Sequence, residues 1–231
     1  MFHVKICGVM TAADARLAAA AGADAIGINF VPGSPRCLSP EAGREVAAAV
    51  PDDIVVVGVF AGATPAEMRR VAEVVGLDAI QLHGHLKGDV AVDAPESCAS
   101  LAPLPVIRAV RLGPEGFDGA RQWRAAALAA GVGPVMAVVD AAVSSSAAAG
   151  HLGGTGDRVD WSRLIEAGDL GIPLALAGGL TPANVAEAIA ATGVNAVDTA
   201  SGVEMAPGRK DREKMRAFCA EARRAFAAAA D

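Results

Sequence analysis

Short apolar runs alternate with helical segments along almost the whole chain. The apolar runs are rich in valine, isoleucine and alanine, which is typical of strands buried on both faces of a parallel sheet. The segments between them begin at helix-capping residues, as in Thr64-Pro65-Ala66-Glu67, where a capping box precedes a helix with proline at its first position. Several end at a glycine such as Gly22 or Gly76, the commonest residue after a helix. The pattern therefore predicts repeated strand–helix units.

Eight such units are expected. The predicted strands are residues 4–7, 25–30, 54–60, 79–83, 105–110, 134–139, 174–177 and 195–199. Residues 85–103 have little periodicity, and a short or broken helix is expected there. An open doubly wound sheet usually has fewer units and a GxGxxG motif after its first strand, which Gly8 alone does not provide. We therefore expect an α/β fold, a single-domain (β/α)8 TIM barrel that occupies residues 1–231.

The last two predicted strands both run into glycine turns. Gly178-Gly179 follows the seventh strand, and Ser201-Gly202 follows the eighth. Thr181 and Pro182 are expected as the N-cap and the first residue of the helix between these strands. Glycine N–H groups near a helix N-terminus suit a phosphate dianion, and the loops after strands seven and eight of such barrels often bind phosphate. A phosphate site is therefore predicted at these two turns.

Composition narrows the class of protein. The chain has 231 residues, of which 53% are hydrophobic and 20% charged, as expected of one large folded domain. A formal net charge of −6 gives no general attraction to nucleic acid or to anionic membranes, and the alanine-rich runs are too short to cross a bilayer. The four cysteines lack metal-binding spacing and no signal peptide is recognisable, so free thiols and a cytoplasmic location are expected. No metal ion is expected.

Polar residues at the carboxyl ends of the predicted strands are the candidates for chemistry, because the active site of such a barrel lies there. They are Cys7, Asn29, Arg36, His83, Arg108, Asp140 and Asp198. Strand eight pairs with strand one when the barrel closes, so Asp198 is expected beside Cys7. Strand six lies three positions away, so Asp140 is expected to face Cys7 across the mouth. A thiol and a carboxylate on opposite sides of a small ligand could act as base and acid.

Each candidate also has a structural interpretation. Cys7 could be an inert small core residue, and Asp140 could cap the next helix. His83 could be a hydrogen-bonded residue at a strand end, and Arg36 could be an ordinary solvated cation on its loop. The residues alone therefore predict a phosphate-binding barrel with a candidate acid–base pair.

Lys5 bears on two of these candidates. Side chains alternate along a strand, so Lys5 shares a face with Cys7. Its ammonium could pair with Asp198 and leave that carboxylate with a structural role. It could also lower the pKa of the Cys7 thiol.

A series of short motifs runs in a fixed order through most of the chain. They are Lys5-Ile6-Cys7-Gly8, Gly22-Ala23-Asp24-Ala25-Ile26-Gly27, Ser34-Pro35-Arg36, Gly58-Val59-Phe60, Gln81-Leu82-His83-Gly84, Gly153-Gly154-Thr155-Gly156, Leu176-Ala177-Gly178-Gly179-Leu180 and Ser201-Gly202-Val203-Glu204. Each motif is weak by itself, but the ordered set resembles the phosphoribosylanthranilate isomerase family of tryptophan biosynthesis.

The resemblance implies an Amadori rearrangement of N-(5-phosphoribosyl)anthranilate to 1-(2-carboxyphenylamino)-1-deoxyribulose 5-phosphate, without metal or organic cofactor. It implies that Asp140 protonates the ribose ring oxygen and opens the ring to a Schiff base. Cys7 would then remove the proton from C2′. Arg36 would hold the anthranilate carboxylate, which its planar fork suits.

The predicted set of substrate-binding residues combines those that the resemblance implies with two candidates at strand ends, His83 and Asp198. The set is Arg36, His83, Asp198, Gly154, Gly178, Gly179, Ser201 and Gly202. The expected partner is a small phosphorylated substrate, with no nucleic acid and no membrane. The chain is expected to act as a monomer or a homodimer.

Some positions depart from the family pattern. Ala200 stands where a second serine is usual, Asp157-Arg158 replaces a lysine, and Gly33 replaces a frequent basic residue. Ala200 removes one hydroxyl that could contact the phosphate, and the other changes remove positive charge near the mouth of the barrel, so a higher KM is expected.

Three other functions compete with this one. The related isomerase of histidine biosynthesis resembles a duplicated half-barrel with aspartates as both acid and base, whereas here strand one ends in Cys7 and no repeat is evident. An isomerase that accepts both substrates is a variant of that alternative. A barrel that only binds a phosphorylated ligand would be expected to lack the acid or the base.

Overall fold

A computed structural model describes residues 2–83, 95, 99–140 and 161–230. Its eight parallel strands are β1 Val4–Cys7, β2 Ala25–Asn29, β3 Val55–Phe60, β4 Ala79–Leu82, β5 Val106–Arg111, β6 Met136–Asp140, β7 Leu174–Ala177 and β8 Ala196–Thr199. They pair in chain order, and β8 pairs with β1 to close a barrel. The predicted (β/α)8 barrel is confirmed.

The barrel has two layers of apolar packing because strand side chains alternate between its faces. Val4 and Ile6 point outward into the main core, which lies between the strands and the helices. A smaller cluster, which includes Ala25, Val57 and Met136, fills the barrel interior. The other two residues of β1, Lys5 and Cys7, point inward and are polar. Cys7 lies at the carboxyl end of the strand, where a site can form.

The helices lie on the outside of the barrel. They are α1 Ala12–Ala21, α2 Pro40–Ala47, α3 Pro65–Val75, α4 Asp118–Ala129, α5 Trp161–Ala167, α6 Val185–Thr192 and α7 Arg212–Ala230. The predicted capping box at the start of α3 is present, with the side chains of Thr64 and Glu67 each bonded to the other's backbone. The helix expected within residues 85–103 falls mostly outside the described residues. Within the described part of that segment, Ala99–Leu101 forms a 3₁₀ turn.

The predicted start of α6 is wrong. The helix begins at Val185 after Asn184, not at Pro182 after a Thr181 cap. The Asn184 side chain instead accepts from the Thr181 N–H (2.7 Å) and donates to the Gly179 carbonyl (3.1 Å). Because this side chain holds the glycine turn after β7, the chain follows a tight turn there before the helix begins.

A short ribbon follows β8 and was not predicted. After a 3₁₀ turn at Ser201–Val203, β9 Glu204–Ala206 pairs antiparallel with β10 Arg209–Lys210. Gly208 forms its turn with φ +77°, and a Cβ there would lie 2.5 Å from Met10 Sδ and 3.5 Å from the Pro35 carbonyl oxygen. The ribbon is therefore packed against the loops that follow β1 and β2.

Thr199 links the two glycine turns. Its hydroxyl is buried and donates to the Leu180 carbonyl oxygen (2.8 Å). Replacement by valine would leave that carbonyl without this bond, and we expect Thr199→Val to lower the free energy of unfolding by about 1–3 kcal/mol. Urea denaturation would measure the change. Thr199→Ser keeps the hydroxyl and is the control; equal losses in both variants would contradict the role given to the hydrogen bond.

Candidate active site

A cavity that is partly open to solvent lies at the carboxyl ends of the strands. The predicted site residues that line it are Cys7, Arg36, His83, Asp140, Gly178, Gly179, Asp198 and Ser201. Gly202 lies just behind this lining, and Gly154 is outside the described residues. The barrel thus gathers into one cavity side chains from β1, β4, β6, β7, β8 and the loop after β2.

Cys7 sits at the end of β1, in space that a glycine leaves open. A Cβ on Gly27, the neighbouring residue on β2, would lie 2.7 Å from Cys7 Sγ. Burial raises the pKa of the Cys7 thiol. Lys5 and Lys210 act in the opposite direction and Asp198 adds to the rise, but the cations do not outweigh burial. The expected lowering of the thiol pKa by Lys5 is therefore present but insufficient in the free barrel.

Lys5 lies wholly inside the barrel and is paired. Its ammonium donates to Asp198 Oδ2 (2.9 Å) on β8 and to Gln81 Oε1 (3.0 Å) on β4. Burial alone would lower the pKa of Lys5, but the Asp198 carboxylate and Cys7 raise it. The suggested pairing of Asp198 with Lys5 is thus present. Asp198 Oδ1 is also buried and has no hydrogen-bond partner among the described residues, so it can accept from a ligand.

Asp140 and His83 stand on the far side of the cavity from Cys7. Asp140 is the last residue of β6, and His83 follows β4. Burial lowers the pKa of His83 although the Asp140 carboxylate raises it, so the imidazole is neutral at pH 7. Its Nδ1 is buried and lacks a hydrogen-bond partner in the described part of the chain. His83 can therefore offer a neutral ring nitrogen to a ligand beside Asp140. The alternative of Asp140 as a helix cap falls on residues 141–160, outside the described residues.

Arg36 is held in place by Glu204. Its Nε and Nη2 donate to the two carboxylate oxygens of Glu204 at 2.8 and 2.6 Å. The arginine side chain is 11% exposed and lies over Gly8, where a Cβ would come 2.3 Å from Arg36 Cδ. Arg36 is therefore not a freely solvated cation.

The glycine turns have backbone geometry that other residues do not tolerate. Gly178 and Gly179 have φ +86° and +62°, in the left-handed region that favours glycine. A Cβ on Gly202 would lie 1.8 Å from the Leu180 carbonyl oxygen, so the turns after β7 and β8 touch. Side-chain-free backbone from both turns can therefore approach an anion closely.

Several residues of the site were not predicted. Gln81 lies two positions before His83 on β4, so the strand period alone places both on the inner face. Glu204 and Lys210 belong to the unexpected ribbon. Glu204 ends the Ser201-Gly202-Val203-Glu204 motif, but no strand or helix period predicts that either residue reaches the site. Arg108, a polar strand-end candidate, points instead to α4, with its guanidinium 5.0 Å from the centre of the Trp123 ring. Across the described residues, no cluster of three His, Cys, Asp or Glu side chains could hold a metal ion.

A closed parallel barrel with a polar cavity at the carboxyl ends of its strands defines the class of (β/α)8-barrel enzymes. Residues 4–221 match the family model of N-(5'-phosphoribosyl)anthranilate (PRA) isomerase. The chain is 41% identical over 225 residues to an N-(5'-phosphoribosyl)anthranilate isomerase of Geobacter sp. (strain M21), covering 97% of this chain and 99% of the relative. The chain belongs to the phosphoribosylanthranilate isomerase family.

Solved structures agree with this assignment. The phosphoribosyl anthranilate isomerase of Thermotoga maritima superposes with a TM-score of 0.79 at 33% identity, covering 96% of this chain and 99% of that one. A second structure, with a TM-score of 0.76, 33% identity and the same coverage, holds reduced 1-(o-carboxyphenylamino)-1-deoxyribulose 5-phosphate. A third, also from Thermotoga maritima, shows monomers generated from a dimeric isomerase, with a TM-score of 0.76, 32% identity and the same coverage.

None of the helices described for this chain is long and apolar enough to cross a membrane.

We expect the Lys5→Met substitution to raise the pKa of the Cys7 thiol further, because it removes a cation and leaves the Asp198 carboxylate unpaired. The rate of iodoacetamide alkylation against pH, after subtraction of the rate in Cys7→Ala, would report this pKa. Combining Lys5→Met with Asp198→Asn removes both charges, so the rise should be smaller in the double variant. An unchanged alkylation profile in Lys5→Met would show that Lys5 does not influence the thiol.

Proposed function

We propose that this chain, acting as a single domain, isomerises N-(5-phosphoribosyl)anthranilate to 1-(2-carboxyphenylamino)-1-deoxyribulose 5-phosphate in tryptophan biosynthesis. Cys7 is the general base and Asp140 the general acid. One observation carries the assignment of roles: a thiol and a carboxylate approach one cavity from opposite sides, between a glycine cradle and an arginine. An aldose-to-ketose rearrangement needs these two proton transfers, one at the ring oxygen and one at C2′.

The proton transfers follow an order that suits the electrostatics. Asp140 donates its proton to the ribose ring oxygen, the C1′–O bond breaks, and the amine forms a protonated Schiff base at C1′. That positive charge makes the neighbouring C2′ proton more acidic, and Cys7 as the thiolate removes it to give an enolamine. Tautomerisation of the enolamine yields the ketose. Burial raises the pKa of Cys7, so only a small fraction of the thiol is ionised. The greater acidity of the C2′ proton compensates for this small fraction.

The ends of the substrate are held by different means. The Gly178-Gly179 and Ser201-Gly202 turns bind the phosphate through backbone N–H groups, and Gly154 belongs to the same set. Arg36 binds the anthranilate carboxylate at the other end. The unpaired polar atoms of His83 and Asp198 suit the hydroxyl groups of the ribose, which must be held while the ring opens.

Two of the family departures bear on affinity. Ala200 lines the cavity without a hydroxyl, and its carbonyl is occupied by Lys210 Nζ (3.0 Å). Gly33 adds no charge to the loop that carries Arg36. Asp157-Arg158 lies outside the described residues. These features support a higher KM than that of relatives with the usual residues, without a change in the acid or the base.

Free thiols fit the proposal. Cys7, Cys37 and Cys219 are unpaired, and a base that acts as a thiolate requires a reducing compartment such as the cytoplasm. The enzyme works as a monomer or a homodimer, since every proposed catalytic group comes from one chain.

Cys7→Ala and Asp140→Asn should each lower kcat by about 10²- to 10⁴-fold, because each removes one proton transfer. KM should change little, since neither residue is proposed to anchor the phosphate or the carboxylate. Steady-state kinetics of the fluorescence decay of freshly made phosphoribosylanthranilate would measure both constants. Turnover near the wild-type rate in either variant would exclude that residue from its role.

The same fluorescence assay separates the competing functions. Wild-type protein should accelerate the decay, and the aminoimidazole substrate of the histidine-pathway isomerase should not compete at comparable concentration. Strong competition would favour an enzyme with both substrates. Absence of any acceleration would favour a barrel that only binds a phosphorylated ligand.

The pH dependence of kcat/KM follows from the state of Cys7. A base must be ionised, and a raised pKa means that the thiolate fraction still grows above the ordinary thiol value of about 8.5. We expect the alkaline side of the profile to rise up to and beyond that pH, since kcat/KM reports the free enzyme. A plateau already reached at neutral pH in stopped-flow or steady-state measurements would contradict a high thiol pKa.

A further inference from the structure

The ribbon after β8 carries a buried ionic network that reaches the active site. Glu204 accepts from Arg36 through both carboxylate oxygens and from Lys210 Nζ at 2.9 Å. The Glu204 and Lys210 side chains are 4% and 0% exposed. Burying such charges is costly unless each is fully paired, so a network at this depth constrains the groups that it contacts.

Glu204 occupies one particular edge of Arg36. A guanidinium has five N–H donors, and Glu204 takes the edge formed by Nε and Nη2. Within the described residues, no bond engages Nη1. The edge formed by Nη1 and the second N–H of Nη2 is thus left for a ligand, and a carboxylate fits that edge by accepting two parallel bonds.

Lys210 fixes the other side of the network. Besides Glu204, its ammonium donates to the carbonyl oxygens of Cys7 (2.6 Å) and Ala200 (3.0 Å). One buried cation therefore joins the strand of the proposed base, the turn that precedes Ser201, and the partner of Arg36. All three Lys210 donors are used, so the ammonium cannot turn without breaking a bond.

The charge state of Glu204 supports a stable network, although burial lowers the pKa of Lys210. Burial alone would raise the pKa of Glu204, but Arg36 and Lys210 lower it, so the carboxylate stays ionised at neutral pH. The stem of Arg36 is in turn confined by the backbone at Gly8. The guanidinium is therefore restrained both along its stem and at its head.

We propose that Glu204, fixed by Lys210, is a positioning residue that orients Arg36 so that its free edge receives the aryl carboxylate of the substrate. This rests on the proposed function, in which Arg36 binds that carboxylate. A pre-oriented arginine loses less side-chain entropy on binding than a free one. Pre-orientation therefore raises the affinity for the carboxylate and helps to place C2′ over Cys7.

A pair of ligands isolates this effect. One is reduced 1-(2-carboxyphenylamino)-1-deoxyribulose 5-phosphate, and the other is the same molecule with an unsubstituted phenyl ring. Wild-type protein should bind the carboxylated ligand more tightly by roughly 10- to 100-fold, the range expected for charge-assisted hydrogen bonds. Isothermal titration calorimetry gives both Kd values for each variant.

Glu204→Gln should lower this preference about tenfold, because it removes the carboxylate charge and places an NH2 donor where Oε2 accepts from Arg36 Nη2. The Kd of the carboxylate-free ligand should stay unchanged. Arg36→Met should abolish the preference, and Arg36→Met combined with Glu204→Gln should add nothing to it, since Glu204 acts through Arg36. Lys214→Met is the matched control. Among the residues that the structure describes, Lys214 donates to the Glu204 backbone carbonyl (2.8 Å) and not to its carboxylate, so the preference should be retained.

The outcomes separate the two levels of the proposal. If Arg36→Met abolishes the preference while Glu204→Gln retains it, the positioning role is wrong and the proposed function stands. If Arg36→Met also retains it, Arg36 does not bind the carboxylate and both assignments fail. Should Glu204→Gln not fold, as judged by circular dichroism, Glu204→Gln with Lys210→Met avoids a buried unpaired ammonium and allows the same comparison.

Discussion

The buried pair of Lys5 and Asp198 is the interaction on which the rest of the site depends. The two residues are 193 positions apart in the chain, and they become direct neighbours only when β8 closes onto β1. An unpaired charge at this depth would be strongly destabilising, because each partner would lose its compensation on burial. Closure in this register therefore places Asp198, Cys7 and the turn after β8 around the same mouth.

The local pattern of the chain was sufficient for the barrel but not for its connections. The strand period and the capping residues predicted the eight strand–helix units and the capping box at Thr64, because these signals depend on only a few neighbouring residues. At Thr181 the same signals predicted the wrong helix start. The Asn184 side chain bonds both Thr181 and Gly179, and this tight turn delays the helix. A turn that serves the site overrode a good capping sequence.

The candidate site was predictable where it follows from barrel topology. Cys7, His83 and Asp140 lie at the carboxyl ends of their strands. The alternation of side chains and the order of the strands were therefore enough to predict that all three line one cavity. Glu204 was not accessible in this way. Its bond to Arg36 joins residues 168 positions apart, on a loop and a ribbon that no periodic pattern describes. Long-range pairs between irregular segments depend on tertiary packing, which a single sequence does not display.

Two buried lysines flank Cys7, yet both are committed to carboxylates. Lys5 is paired with Asp198, and Lys210 shares the Glu204 carboxylate with Arg36. Both lysines lower the pKa of the Cys7 thiol, but they do not outweigh the effect of burial. The thiol of the free barrel is consequently kept mostly protonated. Since the thiolate is the nucleophilic form, this limits side reactions of an open site with other electrophiles. In the proposed mechanism, the positive charge that favours proton removal arises on the substrate itself, at the Schiff base that forms when Asp140 opens the ring.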